Sequence, residues 1–526
     1  MPVPHPQVLR CRPCRGRGAI ALAVALVLGG GAARAQPAPA AEAGGAPAQR
    51  TNGLATSLLL DSEVIVVRDR PAGSGTEIVG RATPGVTLVN RGGRLRGSLI
   101  YSGTLTARHG VDDREETNYL NSLSASYLLE AIEGVGFVDA RASITQQLIS
   151  AIGGPVSVLQ PSSRNRSEVT TVSVSPYLVG NLAGVAEVEA RATATETNGG
   201  DDAISDSRVQ QGLLTLRSPR GRSMLGWSLL GSRQRVKFSG AATPTITDRA
   251  TGELTLVPDI DWRFAVTAGK ERTDVVGALR QSYDNYGASV QWTPSARTTV
   301  VAQAERRYFG DAHRVVVEHR FSRSSFRLSS QRDINIGSDV LSQGQAVTLY
   351  ELYFAQFAAQ IPDPIQRDQF VLALIQLQGR NRNEVVSGGL FGNGGVAAQR
   401  RQDVLWTWTG PRLTLSANAY TLDSERADTG GVNPAARNDN TAQSGYAASA
   451  GWRLTPQTSI NLTGSRAMSK DTVSLLRSDL KALSGGLTTQ LGPRTAGTLR
   501  VGYSVLNGTS DTYREVGITA SLSLRF

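Results

Sequence analysis

Cysteine is almost absent from this 526-residue chain, which has two, Cys11 and Cys14, both near its start. Downstream of residue 35 neither a disulfide framework nor a thiolate metal site is available. Histidine is also scarce, and the three that follow residue 35 are His109, His313 and His319. Lysine is confined to Lys237, Lys270, Lys470 and Lys481, so nearly all positive charge is arginine, which reads as genomic composition. Long apolar runs are missing too: no stretch beyond residue 35 supplies the roughly 20 apolar residues of a transmembrane helix. Hydropathy of this kind suggests a soluble chain, but it is blind to membrane barrels, whose alternating strands average to moderate polarity.

The first 35 residues read as a secretory signal. Arg10, Arg12, Arg15 and Arg17 charge the front, residues 19–28 form a short apolar run, and Ala33-Arg34-Ala35 gives a small-x-small cleavage site before Gln36. The spacing of Cys11 and Cys14 resembles a metal or redox pair, but both are removed with the signal. The segment holds five arginines and no acid, so its loss lowers the formal net charge from +11 to +6. That mild excess does not argue for nucleic-acid binding, which needs basic residues clustered on one surface. Residues 36–49 are rich in Ala, Pro and Gly, as in a flexible linker. Residues 36–83 are read as a periplasmic linker and N-terminal segment, with Glu63-Val64-Ile65-Val66-Val67 as a short strand or edge and residues 84–88 as a lead-in strand.

From residue 94 the chain alternates in stretches of about ten residues, joined by tight turns on one side and longer polar loops on the other. Ala186, Val188, Ala190, Ala192 and Ala194 share one face, and Glu187, Glu189, Arg191, Thr193 and Thr195 share the other. The last ten residues repeat this pattern, with Ile518, Ala520, Leu522, Leu524 and Phe526 on one face. In a sandwich the apolar set would meet a dry core; in a barrel it meets lipid and the polar set encloses water. An exposed alternating edge ending on Phe invites unwanted pairing in a soluble sheet, whereas a barrel pairs its last strand with its first. Leu522, Leu524 and Phe526 also resemble the signal read by the outer-membrane barrel insertion machinery. The six tryptophans, Trp227, Trp262, Trp292, Trp406, Trp408 and Trp452, each lie within a few residues of an expected short turn, as an interfacial girdle requires.

These patterns predict an all-β fold: a transmembrane antiparallel β-barrel of about 20 strands, within about 16 to 22, spanning 84–526. Rising strands are expected to begin near residues 94, 136, 185, 223, 261, 298, 324, 412, 457 and 495. Residues 346–379 break the rhythm and read as a two-helix insert, with Leu349, Leu352, Tyr353 and Phe357 at helical spacing and Asp363-Pro364 opening the second helix. Its apolar stripe must bury in the barrel mouth, on the outside or against a partner. The glycine-rich stretch 388–395 reads as a return loop and lacks the lysine and context of a phosphate-binding loop.

Several motifs in order resemble a family: Pro84-Gly85-Val86-Thr87-Leu88, Val138-Asp139-Ala140-Arg141-Ala142-Ser143, the Trp-x-Pro turn at Trp292, the run Ile361-Pro362-Asp363-Pro364-Ile365-Gln366-Arg367, and terminal Phe526. The chain is similar in these to outer-membrane proteins associated with the PEP-CTERM/exosortase system. That resemblance implies a cell outer membrane location and a link to exopolysaccharide production and surface-protein sorting, with no residue roles to carry over.

No catalytic, cofactor or metal constellation emerges. His313 and His319 share a face six residues apart and fit a polar loop or lumen role better than a base or ligand pair. Asp139 with Arg141, Glu187 with Glu189 and Arg191, and Glu305 with Arg307 are expected to line the lumen, where charge sets ion selectivity. The expected function is a non-enzymatic channel or scaffold for exopolysaccharide or PEP-CTERM surface-protein export; a general diffusion porin and, less favoured, a barrel enzyme are the alternatives. Expected partners are outer-membrane lipid and lipopolysaccharide, the barrel insertion machinery and exopolysaccharide export components, with no nucleic acid.

Overall fold

The computed structural model describes residues 54–70, 76–90, 92–109, 116–148, 166–200, 206–219, 224–239, 243–276, 279–336, 371, 396–427, 440–474, 476–509 and 512–526. The signal segment, the tract 36–49 and the expected two-helix insert at 346–379 lie outside the described residues, apart from Val371, which is helical and fully buried.

The strands are β1 (Leu54–Arg70), β2 (Thr76–Asn90), β3 (Leu95–His109), β4 (Glu116–Ile132), β5 (Gly136–Leu148), β6 (Arg166–Leu182), β7 (Ala186–Gly199) and β8 (Ser207–Arg217). They continue as β9 (Leu225–Phe238), β10 (Thr245–Leu256), β11 (Trp262–Thr273), β12 (Gln281–Ser295), β13 (Thr298–Arg307), β14 (Gly310–Arg320) and β15 (Ser324–Ile336). The last are β16 (Val396–Thr409), β17 (Leu413–Arg426), β18 (Thr441–Arg453), β19 (Thr458–Asp471), β20 (Arg477–Gly492), β21 (Thr495–Gly508) and β22 (Thr512–Arg525). Each pairs antiparallel with its neighbours in the chain, and β1 pairs with β22, so the 22-stranded sheet closes on itself.

The seam runs from Leu59 opposite Arg525 to Arg70 opposite Arg514. Beyond it, the Phe526 N–H donates to the Leu58 carbonyl at 2.9 Å and the Leu58 N–H donates back to the Phe526 carbonyl at 3.3 Å. The Ser523 hydroxyl also donates to the Asp61 carboxylate across the seam. Closure leaves no row of unpaired backbone groups facing lipid, where each would cost several kcal/mol.

From β3 onward the rising strands, β3, β5 and so on to β21, start within two residues of the expected positions. The strand total is higher than the expected 20 because residues 54–83, expected to precede the barrel, form β1 and the first part of β2. The reason is local. Val64 and Val66 face out, while Ile65 and Val67 face in and are buried, so apolar side chains on both faces erase the alternation. Pro84 looks like a strand start but sits mid-strand, where the β2–β3 ladder skips from Ala82–Leu105 to Gly85–Ser102. Pro176 in β6 sits at a similar skip against β7. Proline has no N–H to give, and both ladders are interrupted where it would be missed.

Short turns such as 296–297 and 493–494 join the strands at the end where β22 finishes, and long connections such as 149–165 and 337–395 join them at the other. In bacterial barrels the short-turn end is periplasmic and the long-loop end extracellular, and the two ends are named after that rule. Ile518 lies mid-strand on the outer face and is 51% exposed, and Ser521 lies on the inner face. Ile518→Arg is expected to destabilise the barrel by about 2–4 kcal/mol, and Ser521→Arg by clearly less, in urea unfolding from lipid vesicles followed by tryptophan fluorescence.

Candidate functional site in the barrel lumen

Strand parity sorts every side chain into an outer or an inner set. The outer set holds large exposed apolar residues in a soluble sense, such as Leu178 at 53%, Leu214 at 47% and Val266 at 58%. All six tryptophans belong to this set and sit at the short-turn ends of their strands. Trp262 and Trp292 are register partners, stack with ring centroids 5.3 Å apart, and Trp262 stacks on Phe264 at 5.4 Å. Ten residues above Trp227 and Trp262 the same face carries Lys237 and Arg272. At about 3.3 Å rise per residue and a tilt near 40°, that spacing is about 25 Å, the height of a barrel's apolar band.

The inner set differs between the two halves. Toward the periplasmic end it is charged and open. Arg141 bonds Asp139 at 2.9 Å, Arg191 bonds Glu189 at 3.0 Å, and Arg217 bonds Glu187 at 2.8 Å. The Arg191 guanidinium also lies 4.0 Å above the Tyr177 ring, which stacks on Phe137 at 5.2 Å. Asp139, Arg141, Glu187, Glu189 and Arg191 lie on this inner face, as do Glu305 and Arg307. The partner Arg217 lies on the next strand, and cross-strand register was the one element of that pair the alternation did not reveal.

Further up, Glu305 and Arg307 enter a wall-spanning network. Arg249 of β10 reaches Glu305 of β13, passing two intervening strands. Arg307 bonds Glu271 of β11 at 2.7 Å and Asp333 of β15 at 2.9 Å, and Glu271 is fully buried. Gly269 and Gly287 occupy inner positions between these partners. A Cβ at Gly269 would lie 2.6 Å from Asn285 Oδ1, and one at Gly287 would lie 2.5 Å from the Ala304 carbonyl oxygen, so only glycine fits at these crossings. Arg249, Glu271 and Asp333 escaped the sequence reading. The one available signal was parity, since Glu271 falls out of phase with the apolar Phe264 and Val266.

Near the extracellular rim the inner wall becomes buried, and apolar side chains stand there among buried polar ones such as Thr106, Thr197, Thr273, Gln443 and Glu515. Ile65, Val67 and Val79 form one buried cluster. Val236 and Phe238, inner by parity, belong to another buried cluster with Val275, which Ile334 and Val396 join from positions of outer parity at the strand ends, with Tyr308 and Phe309 packed against it. Leu422 and Leu506, also inner by parity, are 5% and 1% exposed. The buried inner residues at the periplasmic ends are small by contrast, namely Thr255, Ala265, Thr407, Ser459 and Thr488.

The histidines depart from expectation. His313 and His319 share parity with Val315 and Val317 on the outer face, so neither lies in the lumen. His319 Nδ1 meets Thr298 Oγ1 at 2.8 Å and its ring meets Phe321 edge-on at 4.2 Å; His313 Nε2 meets Ser330 Oγ at 3.1 Å. His109 ends β3 opposite Ile78, also outward. Alternation of Val315 and Val317 with arginine and glutamate carried that information, but the spacing of the two histidines drew attention away from it.

Neither a family model nor a curated protein matches the chain. Among solved structures, the ferric enterobactin receptor PfeA of Pseudomonas aeruginosa is similar at 11% identity and a TM-score of 0.44, covering 90% of this chain and 81% of that one. The siderophore receptor PirA of Acinetobacter baumannii gives 10% identity and 0.44, covering 89% and 80%. OccK5 of P. aeruginosa gives 9% and 0.33, covering 90% and 98%. This chain's own geometry defines its class. It is a closed antiparallel 22-stranded β-barrel with an apolar outer face, of the membrane-spanning kind.

The two kinds of charge should respond differently to truncation. Glu271→Ala leaves the mostly buried Arg307 with only the half-exposed Asp333 and is expected to cost about 3 kcal/mol. Glu189→Ala removes a pair whose side chains are 27% and 32% exposed, and is expected to cost below about 1 kcal/mol. Unfolding midpoints in lipid vesicles measure both.

Proposed function

We propose that this protein is a non-enzymatic outer-membrane barrel that serves export, with a lumen open toward the periplasm and closed toward the outside. The observation that carries this reading is the change along the inner wall. Ion pairs that touch water at the periplasmic end give way at the extracellular end to buried side chains, with Ile65, Val67, Val79, Val236, Phe238, Leu422 and Leu506 set among buried Thr, Ser and Gln. A lumen of this many strands is wide enough for an aqueous channel unless something fills it. An open diffusion pore would wet its wall from end to end, and apolar constrictions gate by dewetting. The order of sequence motifs supports a context of exopolysaccharide or PEP-CTERM surface-protein export. The wet, charged periplasmic half is the feature that favours the second reading, a general diffusion porin.

Planar-bilayer recording separates the two. The purified barrel is expected to stay mostly closed, with rare openings, and Phe238→Asp is expected to raise its open probability several-fold by wetting the upper wall. A large, steady, weakly selective current from the unaltered protein would establish the porin reading instead.

A further inference from the structure

The outer face of β8–β11 carries more positive charge than its neighbours can neutralise. Arg208 on β8 stands opposite Lys237 on β9, Gly212 opposite Arg233, and Asp248 on β10 lies between Arg233 and Arg272 of β11. Arg280 joins this set by bonding Asp248 at 2.6 Å, while Arg233 reaches the same carboxylate at 3.6 Å. Arg208 pairs with Glu196 at 3.1 Å. Arg235, Lys237 and Arg272 have no ion-pair partner among the described residues. Lys270 of β11 pairs with Asp284 of β12 at 3.3 Å. Seven outward cations thus meet three outward carboxylates, Glu196, Asp248 and Asp284, with Asp206 and Asp274 at the strand ends. Such charges are tolerated on a barrel's outer face only near the headgroup level, and the tryptophan girdle puts Lys237 and Arg272 about 25 Å away, at the opposite boundary.

Below these cations the same face is hollow. A shallow, open groove of about 740 Å³ runs from Arg233 toward the turn between β4 and β5, bordered on the lipid side by Val138, Pro176, Leu178, Ala192 and Leu214. Small residues at Ala190, Ala192, Gly212 and Gly231 leave the space. An anionic head above an apolar groove describes an acylated, phosphorylated lipid. Guanidinium groups pair phosphate oxygens in a bidentate fork, which suits arginine over lysine at such a site.

We propose that Arg235, Lys237 and Arg272 hold the phosphates of one lipopolysaccharide molecule in the outer leaflet, with an acyl chain lying in the groove beneath Arg233. The site is built into the barrel wall and is separate from the lumen. It rests on the outer-membrane placement, and insertion into vesicles, measured on the same samples, tests that placement independently.

The test uses the full-length barrel, refolded into vesicles containing lipopolysaccharide, extracted in mild detergent and weighed by native mass spectrometry. The unaltered protein is expected to retain one lipopolysaccharide. The variant R235A/K237A/R272A should lose retention at least about ten-fold while still migrating as a folded, heat-modifiable band. K470A/K481A, which removes outward cations elsewhere on the wall, should retain lipid as before. Enzymatically dephosphorylated lipopolysaccharide should be retained poorly by the unaltered protein. Equal retention by the triple variant, equal loss in K470A/K481A, or full retention of the dephosphorylated lipid would each overturn the assignment.

Discussion

Backbone hydrogen bonding in a solvent that offers none governs this molecule. A strand facing hydrocarbon has no water to satisfy its N–H and C=O groups, so each strand must have a partner on both sides. The pairing of β1 with β22 meets that requirement at the one place where chain order does not supply it. The reciprocal bonds between Leu58 and Phe526 extend the pairing to the very end of the sheet. The ladder skips at Pro84 and Pro176 obey the same rule, since the missing proline N–H falls where the neighbouring strand does not call for it.

Closure converts a period of two into two surfaces, and most of what the sequence revealed follows from that. The alternation in β7 was plain because its inner residues are charged and its outer residues are Ala and Val. Strand ends were plain wherever Gly-Pro or Thr-Pro punctuated a turn, as at Gly410-Pro411 and Thr455-Pro456. β1 was hidden because its upper inner face is as apolar as its outer face, so periodicity cancels within Val64-Ile65-Val66-Val67. The reach of Arg249 to Glu305 was hidden for another reason. It depends on two strands lying between the partners and on the absence of side chains at Gly269 and Gly287, neither of which is visible along one strand.

The outer surface is as asymmetric as the membrane it fits. Its tryptophans gather at the short-turn end, and its unpaired arginines and lysines gather at the long-loop end. Tryptophan prefers the boundary where an apolar ring and a polar N–H are both satisfied. Guanidinium groups prefer the boundary rich in phosphate. Strands such as β9 and β11 therefore carry their own depth gauge, and neighbouring strands agree, as Trp262 opposite Trp292 and Arg233 near Asp248 and Arg272 illustrate.

The interior has a second asymmetry with an energetic consequence. Wetting Ile65, Val67, Val79, Val236, Phe238 and Leu506 would each cost about 1.5–3 kcal/mol if fully exposed, on the order of ten kcal/mol together. That is comparable with the whole stability of a typical domain. Burial of these side chains therefore favours a closed upper lumen. Any event that opens it must bind the open form more tightly than the closed one by a matching amount, or must cover the apolar ring with apolar surface of its own. The charged lower lumen imposes no such penalty, because its ion pairs already share their environment with water. On the proposed export reading, control of passage belongs to the extracellular third of the wall, with the periplasmic part as its vestibule.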